Sequence, residues 1–259
     1  EAMNEQGLCM AGLNFPDNAY YSDWIEKEKF NISPFELISW ILGSCSNISE
    51  AKKLLSETHI TAIPFSEKIP LTPLHWHIAD KSGSLVLEVM RDGMHIYDNT
   101  VNVLTNNPPF DFQMYNLAQY LNLHKRVPMN CFSEKGVLPF GKGLGSFGLP
   151  GDFSPASRFV KSAYLLLNSV CGSDEDSSVS QLFHILDSVA VVNGTIIPNK
   201  SSRYLTTYSC CMSADRGVYY FKTYSNNMIT AVNIKNENLD SQKLICYKVK
   251  RTQSVDFVN

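Results

Sequence analysis

Two histidines, His75 and His77, are the residues whose types and spacing first suggest chemistry. Residues two apart in a β-strand point to the same side of a sheet, and imidazole nitrogens placed in that way can bind zinc. No further histidines or cysteines with ligand spacing accompany them in the sequence. The pattern therefore favours two partly buried sheet histidines over a metal site, and we expect neither a metal nor another cofactor.

A second motif, Gly143-Leu144-Gly145-Ser146-Phe147-Gly148, has the spacing of a dinucleotide-binding loop. No strand pattern precedes it, and Leu149-Pro150-Gly151 follows where a helix would have to begin. The sequence instead predicts an irregular loop with glycines at positive φ, of the kind that can frame a pocket.

The cysteines are odd in number and widely scattered, which is not the pattern of a disulfide scaffold. None has the helix-start or histidine-paired setting that favours a thiolate, so the internal cysteines are poor candidates for a nucleophile. We expect a reducing compartment, the cytoplasm. The seven are Cys9, Cys45, Cys131, Cys171, Cys210, Cys211 and Cys246.

The elements that must position any site can be read from hydrophobic periodicity. Residues 8–13 are small and apolar and predict a strand buried on both faces. Ser33-Pro34-Phe35-Glu36 predicts the start of a helix that Gly43 ends, and Asn47 opens a second helix. Alternating apolar residues from Leu74 to Leu104 predict an antiparallel meander of strands.

The second half of the chain returns to helices and then to strands. Helical spacing predicts helices over Asp111 to Leu123, from Ser154-Pro155 onward, and over Val179 to Val189. Four further strand patterns follow Tyr204, the last at Leu244 to Val249. Strands, helices and strands again predict an α+β domain with at least two sheets.

Composition excludes several classes of function. The chain has 259 residues, of which 44% are hydrophobic and 18% charged, as in ordinary globular proteins. A formal charge of -3 gives no broad attraction to phosphate backbones or anionic lipids, so we expect no nucleic-acid partner. Apolar stretches such as Tyr164 to Leu167 are far shorter than the ~20 residues that a membrane helix needs, so we expect no membrane partner.

The first residue is Glu1 and not methionine. We expect a missing upstream segment, either removed by processing or absent because the chain is a fragment. This bears on function because an N-terminal residue can itself be a catalytic nucleophile.

Five motifs, in order along the chain, resemble those of the choloylglycine hydrolase family, which contains the bile salt hydrolases and the penicillin V acylases. The similarity is closest to clostridial-type bile salt hydrolases. The motifs are Asn4-Glu5-Gln6-Gly7-Leu8, Ala11-Gly12-Leu13-Asn14-Phe15-Pro16, Leu74-His75-Trp76, Val103-Leu104-Thr105-Asn106-Asn107-Pro108, and residues 149–159 from Leu149-Pro150-Gly151 to Ser157-Arg158-Phe159.

The resemblance implies the N-terminal nucleophile hydrolase fold, an α+β architecture of four layers, αββα. Residues 1–259 would form one domain that is incomplete at its N-terminus. In this family the thiolate of an N-terminal cysteine attacks an amide carbonyl while the α-amino group handles the proton. The implied missing stretch is on the order of sixty to seventy residues, and it would carry that cysteine and the nearby arginine and aspartate.

Three catalytic positions of the family match residues of this chain. The resemblance implies that Asn106 and Asn14 donate to the tetrahedral oxyanion, and that Arg158 lies beside the nucleophile and favours its thiolate. The alternatives are a strand-end turn residue for Asn14, an Asx turn before proline for Asn106, and a solvent-facing helix residue for Arg158.

Asn14 also bears on the substrate, because penicillin V acylases resemble this motif but generally carry tyrosine there. Residues 63–74 resemble the loop over the steroid pocket, where Phe65, Ile69 and Leu74 would supply apolar surface for a sterol. The alternative is a connector between helix and sheet.

The resemblance implies hydrolysis of glycine- or taurine-conjugated bile salts in a gut bacterium, by a homo-oligomer that is often a tetramer. An acylase for penicillin V or another N-acyl amide is the second hypothesis. A catalytically inactive binding fold or fragment is the third, and we expect this chain alone to be inactive.

Overall fold

The computed structural model describes residues 1–199 and 202–259. Its strands are, in chain order, β1 (Ala2–Met3), β2 (Cys9–Asn14), β3 (Phe30–Ile32), β4 (Thr58–Ile60), β5 (Leu74–Asp80), β6 (Gly83–Met90), β7 (Gly93–Asp98), β8 (Ile196–Asn199), β9 (Ser202–Tyr204), β10 (Tyr208–Ser213), β11 (Val218–Thr223) and β12 (Asn226–Asn233). Its α-helices are α1 (Leu37–Ser44), α2 (Ile48–Ser56), α3 (Phe110–Leu117), α4 (Pro155–Asn168) and α5 (Glu175–Asp187).

The strands form two main sheets. The larger is antiparallel throughout, with the order β1-β2-β5-β6-β7. The smaller consists of β10, β11 and β12, also antiparallel. Two short pairs complete the set, parallel β3-β4 and antiparallel β8-β9. The α+β class predicted from the sequence is therefore confirmed.

Helices α1 and α2 cover one face of the larger sheet. Met10, Trp76 and Leu87 of the sheet share a buried core with Ile41 of α1 and Leu55 of α2. Burying an apolar side chain of this size contributes roughly 1.5–3 kcal/mol. This core fixes strands β2, β5 and β6 side by side, and the candidate site lies where these strands meet.

The opposite side of β6 supports α3 and α4. Val86 packs with Val103, with Phe110 of α3 and with Phe159 and Ala163 of α4. Helix α5 packs against β10 of the smaller sheet.

Several predicted boundaries differ from the observed ones. Helix α1 begins at Leu37, because the Ser33 backbone N–H donates to Glu36 Oε2 at 3.2 Å and this pair closes a turn that precedes the helix. Helix α2 is confirmed, with Asn47 Oδ1 accepting from the Glu50 backbone N–H at 3.0 Å.

Residues 101–104 were predicted as a strand, and this is wrong. The Asn99 side chain donates to the Val103 carbonyl at 3.0 Å and accepts from the Val101 N–H at 3.2 Å. These bonds engage backbone groups that a strand would use for its ladder, so the chain turns instead.

The later half shows similar differences. Helix α3 ends at Leu117 and continues as one 3-10 turn, residues 118–120, and residues 244–249 do not form a strand. Helix α5 begins at Glu175 because Asp174 caps it, accepting from the Ser177 N–H at 2.8 Å.

The glycine-rich segment is an irregular loop around a 3-10 turn, with Gly143 and Gly148 at φ values of 82° and 93°. This confirms the predicted loop and not a dinucleotide-binding turn. Within the described ranges, no helix has both the length and the apolar character needed to span a membrane.

Candidate active site

Asn14 is the last residue of β2, at the end of the larger sheet. It is paired in the ladder with Leu74, the first residue of β5. Its backbone carbonyl accepts a hydrogen bond from Asn106 Nδ2 at 2.8 Å. Strand pairing therefore fixes the position of Asn14, while its side chain is exposed at the end of the strand.

Asn106 lies in the turn between the meander and α3. Its Nδ2 donates to the Asn14 carbonyl, and its Oδ1 accepts from Arg158 Nη2 at 2.8 Å. The two partners fix the orientation of the amide, since a reversed amide would set donor against donor and acceptor against acceptor. One Nδ2 hydrogen is then engaged with Asn14, and the second is available to a ligand.

Arg158 lies in the first turn of α4, which Pro155 begins and Ser154 caps. Its Nε donates to the Phe153 carbonyl at 3.2 Å. Burial lowers the pKa of Arg158 from its ordinary value, but a guanidinium stays charged in proteins. No carboxylate among residues 1–199 and 202–259 forms an ion pair with it, so its positive charge can act on an anion.

The structure thus brings the three predicted catalytic residues together in one chain of hydrogen bonds, from Arg158 to Asn106 to Asn14. Arg158 is partly buried, and its hydrogen bonds to Asn106 and to the Phe153 carbonyl argue against a purely solvent-facing helix residue. An array with a fixed amide donor and an uncompensated cation can stabilise negative charge that develops on a carbonyl oxygen.

Behind this array lies a buried pair that sequence reasoning did not identify as a unit. His75 and Glu88 are fully buried, and His75 Nδ1 lies 2.9 Å from Glu88 Oε1. His75 Nε2 lies 2.6 Å from the Thr105 carbonyl oxygen. A signal was present, because Glu88 is the one charged residue in the apolar run from Leu85 to Met90, and a buried carboxylate requires a partner.

The two histidines of β5 do not form a metal site with this geometry. Both ring nitrogens of His75 already have partners, and His77 Nε2 lies 3.3 Å from Asn99 Nδ2, which donates to it. Burial, and secondly the nearby His75, lowers the pKa of His77 to about 4. In the described parts of the chain, no group of three or more His, Cys, Asp or Glu residues could hold a metal ion.

The three predicted substrate-binding residues lie in two settings. Leu74 is partly buried beside Asn14 and packs against the core of the larger sheet. Phe65 and Ile69 are 62% and 54% exposed on the loop before β5. The Phe65 ring contacts that of Phe35 edge-on, with the centroids 5.2 Å apart. The loop therefore presents apolar side chains to solvent.

Residues 1–247 match the family described as linear amide C-N hydrolases, choloylglycine hydrolase family. The chain belongs to this family. It is 46% identical over 260 residues to a bile salt hydrolase/transferase of Lactiplantibacillus plantarum, covering 100% of this chain and 80% of that protein. It is 40% identical over 262 residues to the bile salt hydrolase/transferase of Clostridium perfringens, covering 100% and 79% of the two chains.

Solved structures support the same assignment for the fold. A variant of conjugated bile acid hydrolase from Clostridium perfringens has a TM-score of 0.91 at 39% identity and covers 99% of this chain and 79% of that chain. Penicillin V acylase from Agrobacterium tumefaciens has a TM-score of 0.70 at 20% identity, with 90% and 65% coverage, and shows the fold alone. The choloylglycine hydrolase chain described here thus has the N-terminal nucleophile hydrolase fold, and its family hydrolyses linear amides.

Proposed function

We propose that the protein hydrolyses the amide bond of glycine- or taurine-conjugated bile salts. The observation that carries this proposal is the hydrogen-bonded array of Arg158, Asn106 and Asn14 at the end of the larger sheet. The bile salt hydrolase/transferase relatives, at 46% and 40% identity over the whole chain, support the choice of substrate.

In the proposed mechanism, the array stabilises the tetrahedral intermediate. The second hydrogen of Asn106 Nδ2 donates to the oxyanion, and Asn14 is the second member of the oxyanion hole. Arg158 orients the Asn106 amide through Oδ1 and adds positive charge close to the nucleophile. Because negative charge develops on the oxygen mainly in the transition state, these groups accelerate the chemical step more than they strengthen substrate binding.

The nucleophile implied by the resemblance, an N-terminal cysteine, stays a prediction. Its thiolate would attack the carbonyl carbon, the amide nitrogen would leave as glycine or taurine after gaining a proton, and water would hydrolyse the thioester. Internal cysteines fit this role poorly. Burial raises the pKa of Cys9 and of Cys211 to about 11, and it also raises the pKa of Cys45 and of Cys210.

We place the steroid face of the substrate against Phe65, Ile69 and Leu74. Two of these side chains are exposed on one loop and the third lies beside Asn14, so together they offer apolar surface that leads to the proposed oxyanion hole. Asn14, where penicillin V acylases generally carry tyrosine, supports bile salts over penicillins.

We also propose that residues 1–259 form one domain that assembles as a homo-oligomer, a tetramer, in the cytoplasm of a gut bacterium. Exposed apolar side chains in the segment 121–147 support assembly, since Phe132 and Phe140 are each 91% exposed. All seven cysteines lie in the described ranges and are free thiols, which supports a reducing compartment.

The test uses the full-length protein, with whatever its gene encodes before Glu1, as do all activity measurements below. It compares release of glycine from glycocholate and of taurine from taurocholate with cleavage of penicillin V. Preference for the bile salts is expected, and preference for penicillin V would contradict the proposal in favour of an acylase. No cleavage of either substrate would favour an inactive binding fold.

Substrate placement is tested with Ile69→Ala, which should raise KM for taurocholate several-fold because a buried contact with the sterol is lost. Ile197→Ala is the matched control, since Ile197 is similarly exposed at 65% but lies on β8. Equal effects of the two substitutions would contradict the placement.

A further inference from the structure

His75 contacts the neighbours of both asparagines in the proposed oxyanion hole. Its ring stacks on Phe15, the residue after Asn14, with centroids 4.3 Å apart and planes inclined by 7°. Its Nε2 bonds the carbonyl of Thr105, the residue before Asn106. One buried side chain therefore links two segments that are distant in sequence.

The partners of His75 define where its protons lie. The Thr105 carbonyl can only accept, so Nε2 carries a hydrogen. Nδ1 faces Glu88 Oε1, and a hydrogen bond there requires either an imidazolium with a carboxylate or a neutral imidazole with a carboxylic acid. Both arrangements have zero net charge and both keep a proton between the two side chains, so the pair is fully hydrogen-bonded in the interior.

Glu88 holds the other end of the same turn. The Phe110 backbone N–H, at the start of α3, donates to Glu88 Oε1 at 3.0 Å and to Oε2 at 3.2 Å. The segment from Thr105 to Phe110 is thus bound at its first residue by His75 and at its last by Glu88. Asn106 lies between these two fixed points.

Thr105 extends the connection to the arginine. Its hydroxyl donates to the Pro155 carbonyl at 2.9 Å, at the start of the helix that carries Arg158. Through Thr105, the buried pair therefore sets the position of Asn106 relative to the beginning of α4 as well as to β2.

We propose that His75 and Glu88 are positioning residues for amide hydrolysis, which hold Asn106 and Asn14 at the separation that the oxyanion requires. The inference rests on the proposed function. Neither side chain touches the substrate, and both act through Asn106. A pair that only stabilised the core would affect folding and would leave the chemistry of correctly folded molecules unchanged.

The principal variant is His75→Phe/Glu88→Gln. Phenylalanine keeps the ring that stacks on Phe15, and glutamine keeps an oxygen for the Phe110 N–H, so no unpaired charge remains buried. We expect kcat to fall by about ten- to a hundredfold, the usual effect of misplacing a reacting group, with KM within about twofold. Glu88→Gln alone is the second variant if the double variant does not fold.

The control is His59→Phe/Glu26→Gln. His59 Nδ1 lies 3.2 Å from Glu26 Oε2, so this is also a histidine–glutamate pair, but it is partly exposed and lies outside the larger sheet. Its variant should keep the kcat of the wild type.

Dependence on Asn106 separates positioning from general stability. In an Asn106→Ala background, the His75→Phe/Glu88→Gln change should lower kcat by less than twofold further, because the donor that it positions is already absent. An equal loss of kcat in both backgrounds would overturn the inference.

A readout without substrate separates this inference from the proposed function. In 15N-resolved NMR spectra, the Asn106 side-chain amide is assigned by its loss in Asn106→Ala. In the positioning variant it should move to the shift of a solvent-exposed amide, whereas in the His59→Phe/Glu26→Gln control it should not move. An unmoved signal would overturn the inference even if the wild type cleaves bile salts. A moved signal in a protein that cleaves no bile salt would support positioning of Asn106 and contradict the proposed function alone.

Discussion

The turn from Thr105 to Phe110 and the segment 121–147 are both irregular, yet they are held in opposite ways. The turn is bound by side chains from β5, β6 and α4, namely His75, Glu88 and Arg158. Hydrogen bonds in the segment are mostly local, such as Asn130 Nδ2 to the Lys135 carbonyl at 3.0 Å.

This difference shows what fixes a backbone that has no regular ladder. In the turn, buried polar side chains replace the missing backbone partners, so that Asn106 has one position. In the segment, Met129, Phe132 and Phe140 remain exposed, which is consistent with the proposed contact with a second copy of the chain. The turn is organised by this chain itself, whereas the segment would gain its partners through assembly.

The largest effect is expected at the centre of the turn. Asn106→Ala should lower kcat for taurocholate by about a hundred- to a thousandfold, because one donor to the oxyanion is lost. Substrate affinity should change little. Steady-state kinetics and the thermal midpoint, measured on the same preparation, check this. An unchanged kcat with a lowered midpoint would instead identify Asn106 as an Asx-turn residue.

Stability should depend on pH through His77, which accepts a hydrogen bond from the Asn99 side chain. Its pKa of about 4 in the native state lies below the ordinary value of 6.5, so the unfolded chain binds more protons between these two values. The contribution of neutral His77 to the free energy of unfolding is therefore fully present above pH 6.5. It is lost as pH falls toward 4, by up to about 3 kcal/mol at 1.36 kcal/mol per pH unit.

Urea unfolding of the wild type and of His77→Gln between pH 7 and pH 4.5 measures this loss. The variant should show a smaller decrease. Identical slopes in the two proteins would contradict the assignment to His77.

A smaller effect on kcat is expected from substitution of Arg158. Arg158→Gln should lower kcat about tenfold, because the Asn106 amide loses a charged partner while glutamine can still donate a hydrogen bond. The control Arg216→Gln removes an exposed arginine that pairs with Glu175. Kinetics at a saturating bile salt concentration compare the two variants, and equal kcat values would remove Arg158 from the site.

The smallest effect on the fold is expected in the exposed segment. Phe132→Ser/Phe140→Ser should change the free energy of unfolding by less than about 0.5 kcal/mol, since both rings are already in water. Analytical ultracentrifugation should nevertheless show a shift to smaller species. The control Ile197→Ser changes an exposed apolar residue outside the segment, and an equal shift there would contradict its role in assembly.

Sequence reasoning located the catalytic candidates but not the reason they meet. Short sequence motifs that resemble the choloylglycine hydrolase family surround each of the three candidates, Asn14, Asn106 and Arg158, and this is how they were identified. The buried pair of His75 and Glu88 was not identified, because the two residues lie on adjacent strands and nothing in a linear pattern shows which residues face each other.

Predictions of secondary-structure elements were wrong where side chains hydrogen-bond to the backbone groups that a sheet would use. Periodicity predicted helix α2, whose cap Asn47 is local. It also predicted a strand at residues 101–104, where the Asn99 amide occupies backbone groups. The parallel pair β3-β4 was missed because each strand has only three residues and its partner lies beyond two helices.

The contacts that assemble the array join distant parts of the chain, and this sets an order of events in folding. Asn106 and Asn14 are 92 residues apart, and Arg158 and Asn106 are 52 apart. Closing such loops costs conformational entropy before the contact contributes any favourable free energy. The hairpins of the larger sheet should therefore form first and the array last. Substitutions in the array should accordingly accelerate unfolding and leave the rate of folding nearly unchanged.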